Sequence, residues 1–377
     1  MTRPKKKIHW QQYVSVVVFV LIGIVCGALM ARHLDSLISS GSTVQEDVLT
    51  MIMLFLGMYI SFLVQLIVHE LGHLVFGLLT GYRFSSFRIG SFMWVKEEGK
   101  LRLRRLSIAG TGGQCLMIPP DIVDGKLPVV LYNLGGAIMN VAVGILFLGL
   151  SFLPSKLIAV FFLMAAVIGI AFAVINGVPL RLGVVDNDGY NAFSLKRHPD
   201  ALRGFWVQMK ANELTAKGVR IKDMPADWFE VPDDTQMKNS MIAPLGVFAC
   251  NRLMDEHRFE EADALIQRLL SLDSGIVGLH RGMLLCDRIY CELLGQNRPQ
   301  VLEECLTKEQ HKFMRSMKHF PSVIRTRYVY TLLAQHDQEA AARLEAAFEK
   351  SVETYPYSSD VASERELMAL AQSKAMS

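Results

Sequence analysis

Four long apolar stretches without charged residues dominate the first half of the sequence. They run from Val14 to Ala31, Val48 to Val68, Leu127 to Leu153 and Leu157 to Leu180. Each is close to the roughly 20 residues that a helix needs to cross the hydrocarbon core of a bilayer. The composition agrees, since 51% of the residues are hydrophobic and only 20% are charged. We therefore predict a mainly α fold whose first part is a polytopic membrane domain with about four spans.

The second half has the mixed charge of a water-soluble protein. We predict a membrane domain over residues 1–189 and a soluble all-α domain over residues 190–377. The 39 basic and 36 acidic residues are too evenly balanced for a nucleic-acid surface, so no nucleic-acid partner is expected. The six cysteines have neither a CxxC pair nor secreted-domain spacing, which indicates reduced thiols.

Basic residues in the loops predict the orientation in the membrane. The segment from Gly81 to Lys126 contains eight Lys and Arg residues, whereas the segment from His33 to Asp47 contains none. Because positively charged loops stay in the cytoplasm, the basic N-terminus and the segment from Gly81 to Lys126 are predicted to be cytoplasmic. With four spans the C-terminus is cytoplasmic too. We expect an integral protein of a bacterial cell membrane, with the first span retained as an anchor.

Three ionisable residues, His69, Glu70 and His73, lie just after the second apolar stretch and form an HExxH pattern. Residues at i and i+4 share one face of a helix, so the two imidazoles can bind one Zn²⁺ at roughly 2.0–2.1 Å. Glu70 can then act as general base on a zinc-bound water. Such a short pattern also occurs by chance on helices. Here a charge exposed to lipid costs about 2.5–3.5 kcal/mol even on lenient scales, which favours a metal site inside the protein.

A catalytic zinc ion commonly has three protein ligands, so a third must come from elsewhere in the chain. The candidates follow the fourth apolar stretch, where Asn176-Gly177-Val178-Pro179 precedes Asp186-Asn187-Asp188-Gly189. Asn176 and Pro179 predict a helix break, which is tolerated at membrane depth where the backbone lines a cavity. Asp186 or Asp188 is the candidate ligand. A solvated turn or a helix cap is the alternative interpretation of these two residues.

The combination of HExxH on one span with Asn-x-x-Pro and Asp-Gly on a later span resembles the site-2 protease family of intramembrane zinc metalloproteases. The resemblance implies that Asp188 is the third ligand and that Asn176 holds the substrate backbone or the broken helix near the metal. This chain has extra residues between Pro179 and the Asp-Gly pair, so Asp186 remains the alternative ligand.

The third apolar stretch carries Gly136, Asn140 and Gly144 on one helical face. The same resemblance implies that Asn140 is a polar group of the active site that contacts substrate, because the family has a motif with glycine and asparagine on this span. Close packing of helices is the alternative explanation for the two glycines.

The segment from Phe84 to Ile108 alternates apolar and polar residues around Glu98-Gly99, which predicts a membrane-associated β-hairpin. The resemblance implies a sheet edge that binds extended substrate, and the alternative is a basic hairpin lying on anionic lipid. The glycine-rich residues 110–115 that follow are predicted to be an irregular, re-entrant loop.

The C-terminal half contains amphipathic helical patterns. Turn-like pairs recur about 40 residues apart at His257-Arg258, Asn297-Arg298 and Asp337-Gln338. We predict a tetratricopeptide-like array of helical hairpins, whose concave surface would bind a protein or peptide partner.

These patterns together predict an enzyme that hydrolyses peptide bonds within or next to transmembrane segments. Its substrate would be a transmembrane protein or a membrane-bound peptide, as in regulated intramembrane proteolysis or peptide-precursor processing. Two alternatives use the same residues. A divalent-metal transporter or channel would need the ligands but not the general base Glu70, and an inactive relative would serve as a membrane scaffold.

Overall fold

A computed structural model of the chain describes residues 11–37, 43–97, 99–108, 111–180 and 186–376. The described residues are mainly helical and include one small antiparallel sheet. They form two compact units. The first unit comprises Met1–Tyr82 and Pro128–Arg197, and the second comprises Arg83–Leu127 and His198–Ser377. The sheet segment thus belongs with the C-terminal helices, whereas the sequence grouped it with the membrane helices.

In the part of the chain that the structure describes, the first unit contains five helices. They are α1 Gln11–Leu37, α2 Val44–Leu79, α3 Val129–Leu150, α4 Lys156–Gly177 and α5 Asp188–Arg197. Helices α2, α3 and α4 are long and apolar enough to cross a membrane. Helix α1 contains the first predicted span, but its apolar stretch among the described residues, Val16–Leu29, is shorter. Three membrane-length helices are therefore confirmed, and the fourth span stays a prediction.

The first unit exposes apolar side chains and buries polar ones. Along α2, Ile52, Leu56 and Tyr59 are exposed, whereas Ser61 and Gln65 are completely buried. A water-soluble protein has the opposite distribution, and a large exposed apolar surface marks contact with an apolar environment. The side chains on the outside of these helices are thus those expected against lipid.

The second unit contains a four-stranded antiparallel sheet. Its strands are β1 Arg83–Ile89, β2 Phe92–Glu97, β3 Lys100–Arg105 and β4 Gly113–Ile118, in the order β3-β2-β1-β4. Glu97 pairs with Lys100, and Gly99 has a φ of 81°, as a tight two-residue hairpin requires. The predicted hairpin is therefore part of a larger sheet.

The prediction of an irregular loop over residues 110–115 is wrong from Gly113 onward. Gly113, Gln114 and Cys115 belong to β4, which pairs with the edge of β1. Cys115 and Met117 are buried, and this alternation places one face of the strand in the protein interior. Pairing with β1 satisfies the backbone of these residues, and this tertiary interaction overrides their glycine-rich composition.

Helices form the rest of the second unit. They are α6 Pro199–Ala216, α7 Ala243–Asp255, α8 Phe259–Ser271, α9 Gly278–Leu294, α10 Pro299–Cys305, α11 Lys308–Ser316, α12 Pro321–Leu333, α13 Gln338–Val352 and α14 Ser358–Met376, with three short 3₁₀ turns between α6 and α7. The predicted turns separate α7 from α8, α9 from α10 and α12 from α13. The first two predicted turns contain a residue with positive φ, His257 and Asn297, and in the third the positive φ falls on His336, one residue before the predicted pair. The helical C-terminal region is confirmed, and its tetratricopeptide-like nature stays a prediction.

One core joins the sheet to these helices. Met93 and Val95 of β2 are completely buried and lie in the same apolar cluster as Tyr290, Val329 and Phe348. The sheet and the helices therefore stabilise each other through shared burial of apolar side chains.

The second unit also carries a destabilising carboxyl group. Burial and the neighbouring Glu364 raise the pKa of Asp360 from 3.8 to about 7. The unfolded chain ionises this group at lower pH than the folded chain, so stability falls as pH rises through the window from about 4 to 7. Above pH 7 the raised pKa of Asp360 lowers the free energy of unfolding by its full amount, about 4 kcal/mol.

We therefore expect Asp360→Asn, which imitates the neutral carboxyl, to raise the melting temperature of the full-length protein in detergent. The gain should be small at pH 5 and largest at pH 8, measured by tryptophan fluorescence during heating. Asp124→Asn, which removes an exposed carboxylate from a turn of the same unit, is the control. A gain that does not grow with pH would contradict the assignment.

Candidate metal centre

The HExxH residues lie on the inner face of α2. His69, Glu70 and His73 are all buried, although the same helix exposes much of its apolar surface. The imidazole rings of His69 and His73 meet edge to face, with their centroids 4.9 Å apart. The spacing of i and i+4 on one helix therefore brings both rings to the same place, as the sequence predicted.

Asp188, the first residue of α5, completes a group of three candidate metal ligands. Its Oδ2 lies 3.0 Å from His69 Nε2 and 3.3 Å from His73 Nε2. The two Nε2 atoms are 3.2 Å apart. Among the described residues, these three side chains form the cluster that could hold a metal ion, and Asp186 is not a member. The structure thus places Asp188, the preferred candidate ligand, beside the two histidines, and does not place Asp186 there.

The spacing of these atoms suits a tetrahedral ion. Zinc contacts of roughly 2.0–2.1 Å place neighbouring ligand atoms about 3.3–3.4 Å apart. The three observed separations, from 3.0 to 3.3 Å, need only a small expansion to reach this geometry. Two nitrogens and one carboxylate oxygen are also a donor set that zinc accepts, and they leave a fourth position for a reactant.

A hydrogen bond on the far side of each imidazole determines which ring nitrogen is available to a metal ion. His69 Nδ1 lies 2.8 Å from Asn140 Oδ1, and His73 Nδ1 lies 2.8 Å from the Tyr132 carbonyl oxygen. Both partners are acceptors, so each Nδ1 carries the proton and each Nε2 presents a lone pair. The three atoms that face one another are then all electron-rich, and a cation between them removes their repulsion.

Gln65 connects the ligand shell to helix α4. Asn140 Nδ2 donates to the Gln65 backbone oxygen at 2.9 Å and to its Oε1 at 2.8 Å. Gln65 Nε2 donates in turn to the Ala165 carbonyl oxygen at 2.9 Å. The orientation of His69 is thus fixed by a chain of hydrogen bonds that crosses three helices.

Asn187 holds the backbone that carries Asp188. Its Oδ1 accepts hydrogen bonds from the backbone N–H groups of Leu180 and Tyr190, at 3.0 and 2.9 Å. Its Nδ2 donates to the carbonyl oxygens of Ile175 and Val178. The bond to Tyr190 caps the first turn of α5, and the others tie this turn to the end of α4. Asn187 therefore positions the backbone of Asp188.

Close helix contacts explain two glycines beside the site. A Cβ atom at Gly136 would lie 2.5 Å from Cε1 of the His69 ring. A Cβ atom at Gly72 would lie 2.3 Å from the carbonyl oxygen of Gly135. Helices α2 and α3 therefore approach at a distance that only glycine permits. Gly144, on the same face as Gly136, has only ordinary contacts at that position.

The structure gives different positions to the two predicted substrate-binding residues. Asn140 is completely buried and contacts His69 and Gln65, so its amide orients the imidazole of His69, a candidate metal ligand. Asn176 donates to the Phe172 carbonyl oxygen of its own helix at 3.0 Å. Contact with substrate stays a prediction for both residues.

Sequence reasoning missed Gln65 and Asn187. Gln65 is a polar residue one helical turn before His69 in an otherwise apolar stretch, and this spacing was a usable signal. Asn187 lies between the two candidate aspartates, where the sequence indicated a helix cap without assigning the capping side chain.

The chain was compared with protein-family models, with curated proteins and with solved structures, and none of them matches. The functional interpretation therefore rests on the geometry of the three ligands and their surroundings.

The first expected outcome concerns the third ligand. Purified wild-type protein should contain about one zinc ion per chain. Asp188→Ala should lower the zinc content at least about tenfold, because it removes a direct ligand, whereas Asp186→Ala should not. Elemental analysis after gel filtration measures both. Equal loss in the two variants would contradict the assignment of Asp188.

The second expected outcome concerns the contact between Gly136 and His69. Gly136→Ala should displace the imidazole and weaken zinc binding by about tenfold or more, since a small displacement disrupts coordination. Gly144→Ala is the matched control on the same helix face and should keep the wild-type affinity. Competition with a zinc chelator measures both. Wild-type affinity in Gly136→Ala would mean that helix α3 does not constrain His69.

Proposed function

We propose that this chain is an intramembrane zinc metalloprotease of the site-2 type, which hydrolyses peptide bonds within or next to transmembrane segments. One observation carries the proposal: the ligand atoms of His69, His73 and Asp188 lie within 3.3 Å of one another. They do so inside a group of helices whose outer surface is apolar. A buried glutamate, Glu70, directly follows the first ligand.

His69, His73 and Asp188 would hold the zinc ion. When bound, zinc supplies a Lewis acid that polarises the scissile carbonyl and makes water nucleophilic near neutral pH. Asn140 and the Tyr132 carbonyl keep the two imidazoles in the tautomer that leaves Nε2 available. The protein thereby fixes the ligands before substrate arrives, which lowers the reorganisation needed for reaction.

Glu70 acts as the general base. It takes the proton that the attacking water loses as its oxygen bonds to the carbonyl carbon. It then gives this proton to the amide nitrogen, which leaves as an amine when the C–N bond breaks. Burial of Glu70 keeps bulk water from competing for the proton.

The membrane setting determines the substrate class. Apolar residues cover the outside of α2, so a transmembrane protein or a membrane-bound peptide reaches this unit through lipid. Helix α4 ends at Gly177, and Val178 has extended backbone angles. A helix break is tolerated at membrane depth where the backbone lines a cavity, and we place an extended substrate there, in regulated intramembrane proteolysis or in processing of a peptide precursor.

We place α1 as a fourth span, with both termini in the cytoplasm of a bacterial cell. The basic segment after α2 supports this orientation. The six cysteines all lie in the described part of the chain and form no disulfide there, which agrees with a reducing compartment.

Lipid is also proposed as a partner of the sheet in the second unit. The outer face of β2 and β3 exposes Phe92, Trp94, Leu101 and Leu103, and Trp94 pairs with Leu103 across the strands. The Arg105 guanidinium lies 5.3 Å from the centre of the Phe92 ring. Exposed aromatic and aliphatic side chains beside basic residues suit the interface of an anionic membrane.

Glu70→Gln tests the proposal. The variant should keep its zinc, because Glu70 is not among the three ligands, and should lose cleavage by about 10²–10⁴-fold, the usual contribution of a general base. Zinc content and the appearance of fragments that end within a membrane span are measured in cells carrying either protein. Cleavage that persists at the wild-type rate in the zinc-loaded variant would reject the mechanism.

The same experiment separates the alternatives. A metal transporter or channel would show zinc flux into vesicles that is insensitive to Glu70→Gln, since transport needs no general base. A membrane scaffold would show neither flux nor any fragment dependent on Glu70.

A further inference from the structure

A second candidate site lies within the second unit, where a cavity of about 560 Å³ is lined by residues of the sheet and of two helices. This volume is within the range of small-molecule sites. Among the described residues that line it, five are basic and one is acidic. These residues, which define the basic cavity, are Arg83, Lys96, Arg102, Arg104, Lys217 and Glu213.

The basic side chains come from both the sheet and the helices. Arg102 and Arg104 lie on the edge strand β3, in register with Val95 and Met93 of β2. Because residues paired across two strands share a face of the sheet, both arginines lie on the face that carries the buried Val95 and Met93. Lys217 directly follows the last residue of α6. Guanidinium and ammonium groups from separate elements thus line one space.

The carboxylate of the lining is shared among several cations. Glu213 is buried, and its Oε1 lies 2.7 Å from Lys217 Nζ and 3.5 Å from Arg83 Nη2. Its Oε2 lies 3.5 Å from Nζ of Lys210, which also lies 3.6 Å from Asp121 Oδ1. Glu213 carries a single negative charge, so it cannot neutralise both of the lining cations that contact it. The lining as a whole therefore carries an excess of positive charge.

The start of helix α14 adds backbone donors to the basic cavity. Ser358 is the first residue of this 19-residue helix and belongs to the lining. The first N–H groups of a helix have no intrahelical acceptor and carry a partial positive charge. Gly218, another lining residue, has a φ of 80°, and a Cβ atom there would lie 3.3 Å from Ser358 Oγ. Glycine at position 218 thus keeps the space beside the helix start open.

These donors suit a phosphate group. A phosphate offers several acceptor oxygens and more than one negative charge, and guanidinium groups bind it with two parallel hydrogen bonds. The N-terminus of a helix is a further anion-binding element. Phe84, Ile118 and Pro356 also line the cavity, so the ligand should carry an organic part beside its phosphate. A cationic ligand would meet five basic side chains and is disfavoured.

We propose that the basic cavity binds the phosphate group of an organic phosphate, with Arg102, Arg104 and Lys217 as its cationic contacts and the start of α14 as a further donor. A soluble phosphate ester and a phospholipid head group present the same chemistry, and the experiment distinguishes these two sources. All of the lining residues belong to the second unit, so this binding activity is separate from peptide hydrolysis.

The test measures binding to the full-length protein in an uncharged detergent by isothermal titration calorimetry. The probes are glycerol 3-phosphate, a soluble phosphate ester, and dihexanoyl phosphatidic acid, which presents the same group on a short-chain lipid. Glycerol and dihexanoyl phosphatidylcholine, which have no net charge, are their matches. At least one phosphate probe should bind at least about tenfold more tightly than its match. An affinity at least about tenfold higher for the lipid probe than for glycerol 3-phosphate identifies a phospholipid, and a smaller difference identifies a soluble ester; either supports the site.

Variants then locate the bound phosphate. Arg102→Gln and Lys217→Gln should each lower its affinity at least about tenfold, because each removes a charged donor. Both side chains are exposed, so their replacement leaves the core intact. Arg105→Gln is the matched control on the same strand. Arg105 pairs with Phe92 on the outer face of the sheet and is not among the lining residues, so the affinity should stay within about twofold of the wild type.

Three results would overturn the proposal: no binding of either phosphate probe at millimolar concentration, wild-type phosphate affinity in Arg102→Gln, or an equal loss of affinity in Arg105→Gln. The second result would mean that the phosphate binds elsewhere, for example on the proposed zinc ion. None of them bears on the protease, which is tested by zinc content and cleavage in Glu70→Gln. Conversely, failure of the Glu70 experiment would leave this binding result intact.

Discussion

A polar side chain inside an apolar group of helices must find its hydrogen-bond partners within the protein, because lipid offers none. In the first unit one chain of contacts meets this requirement for three buried polar side chains. Gln65 donates to Ala165 of α4, Asn140 of α3 donates to Gln65, and His69 is held by Asn140. Each unmet bond would cost several kcal/mol in such surroundings. The contacts that hold three helices together are therefore the same ones that orient the first metal ligand.

This arrangement also determines where small residues are needed. The His69 ring occupies the space in which a side chain at position 136 would lie, and the backbones of Gly72 and Gly135 are nearly in contact. The sequence pattern on α3 predicts that its glycines serve close helix packing and that Asn140 contacts substrate. The structure joins these explanations in part, since close packing at Gly136 is what allows Asn140 to reach His69.

Features that depend on residues close together in the sequence could be predicted, whereas features that depend on contacts between distant segments could not. HExxH and the helical turns near His257 and Asn297 could be predicted because they depend on neighbours along one helix or turn. The need for a third zinc donor pointed to Asp186 or Asp188, and the resemblance to site-2 proteases favoured Asp188. The roles of Gln65 and Asn187 could not be assigned, since their partners include backbone carbonyls on other segments. Strand β4 was missed for a similar reason: its residues pair with β1 residues that lie between 24 positions (Ile89 with Gly113) and 35 positions (Arg83 with Ile118) earlier in the chain.

The two units treat buried charge in opposite ways. Around the candidate metal ligands, each imidazole has a defined partner on its far side, and the electron-rich atoms converge where a cation fits. Among the helices of the second unit, Arg325 pairs with Asp287 and Glu364, so these buried carboxylates have a cation within the protein. Burial and the neighbouring Glu364 raise the pKa of Asp360, so a proton takes the place of a cation there. The second unit thus balances its buried carboxylates with an arginine or a proton, whereas the three candidate ligands of the first unit converge on a position that the proposed metal ion would fill.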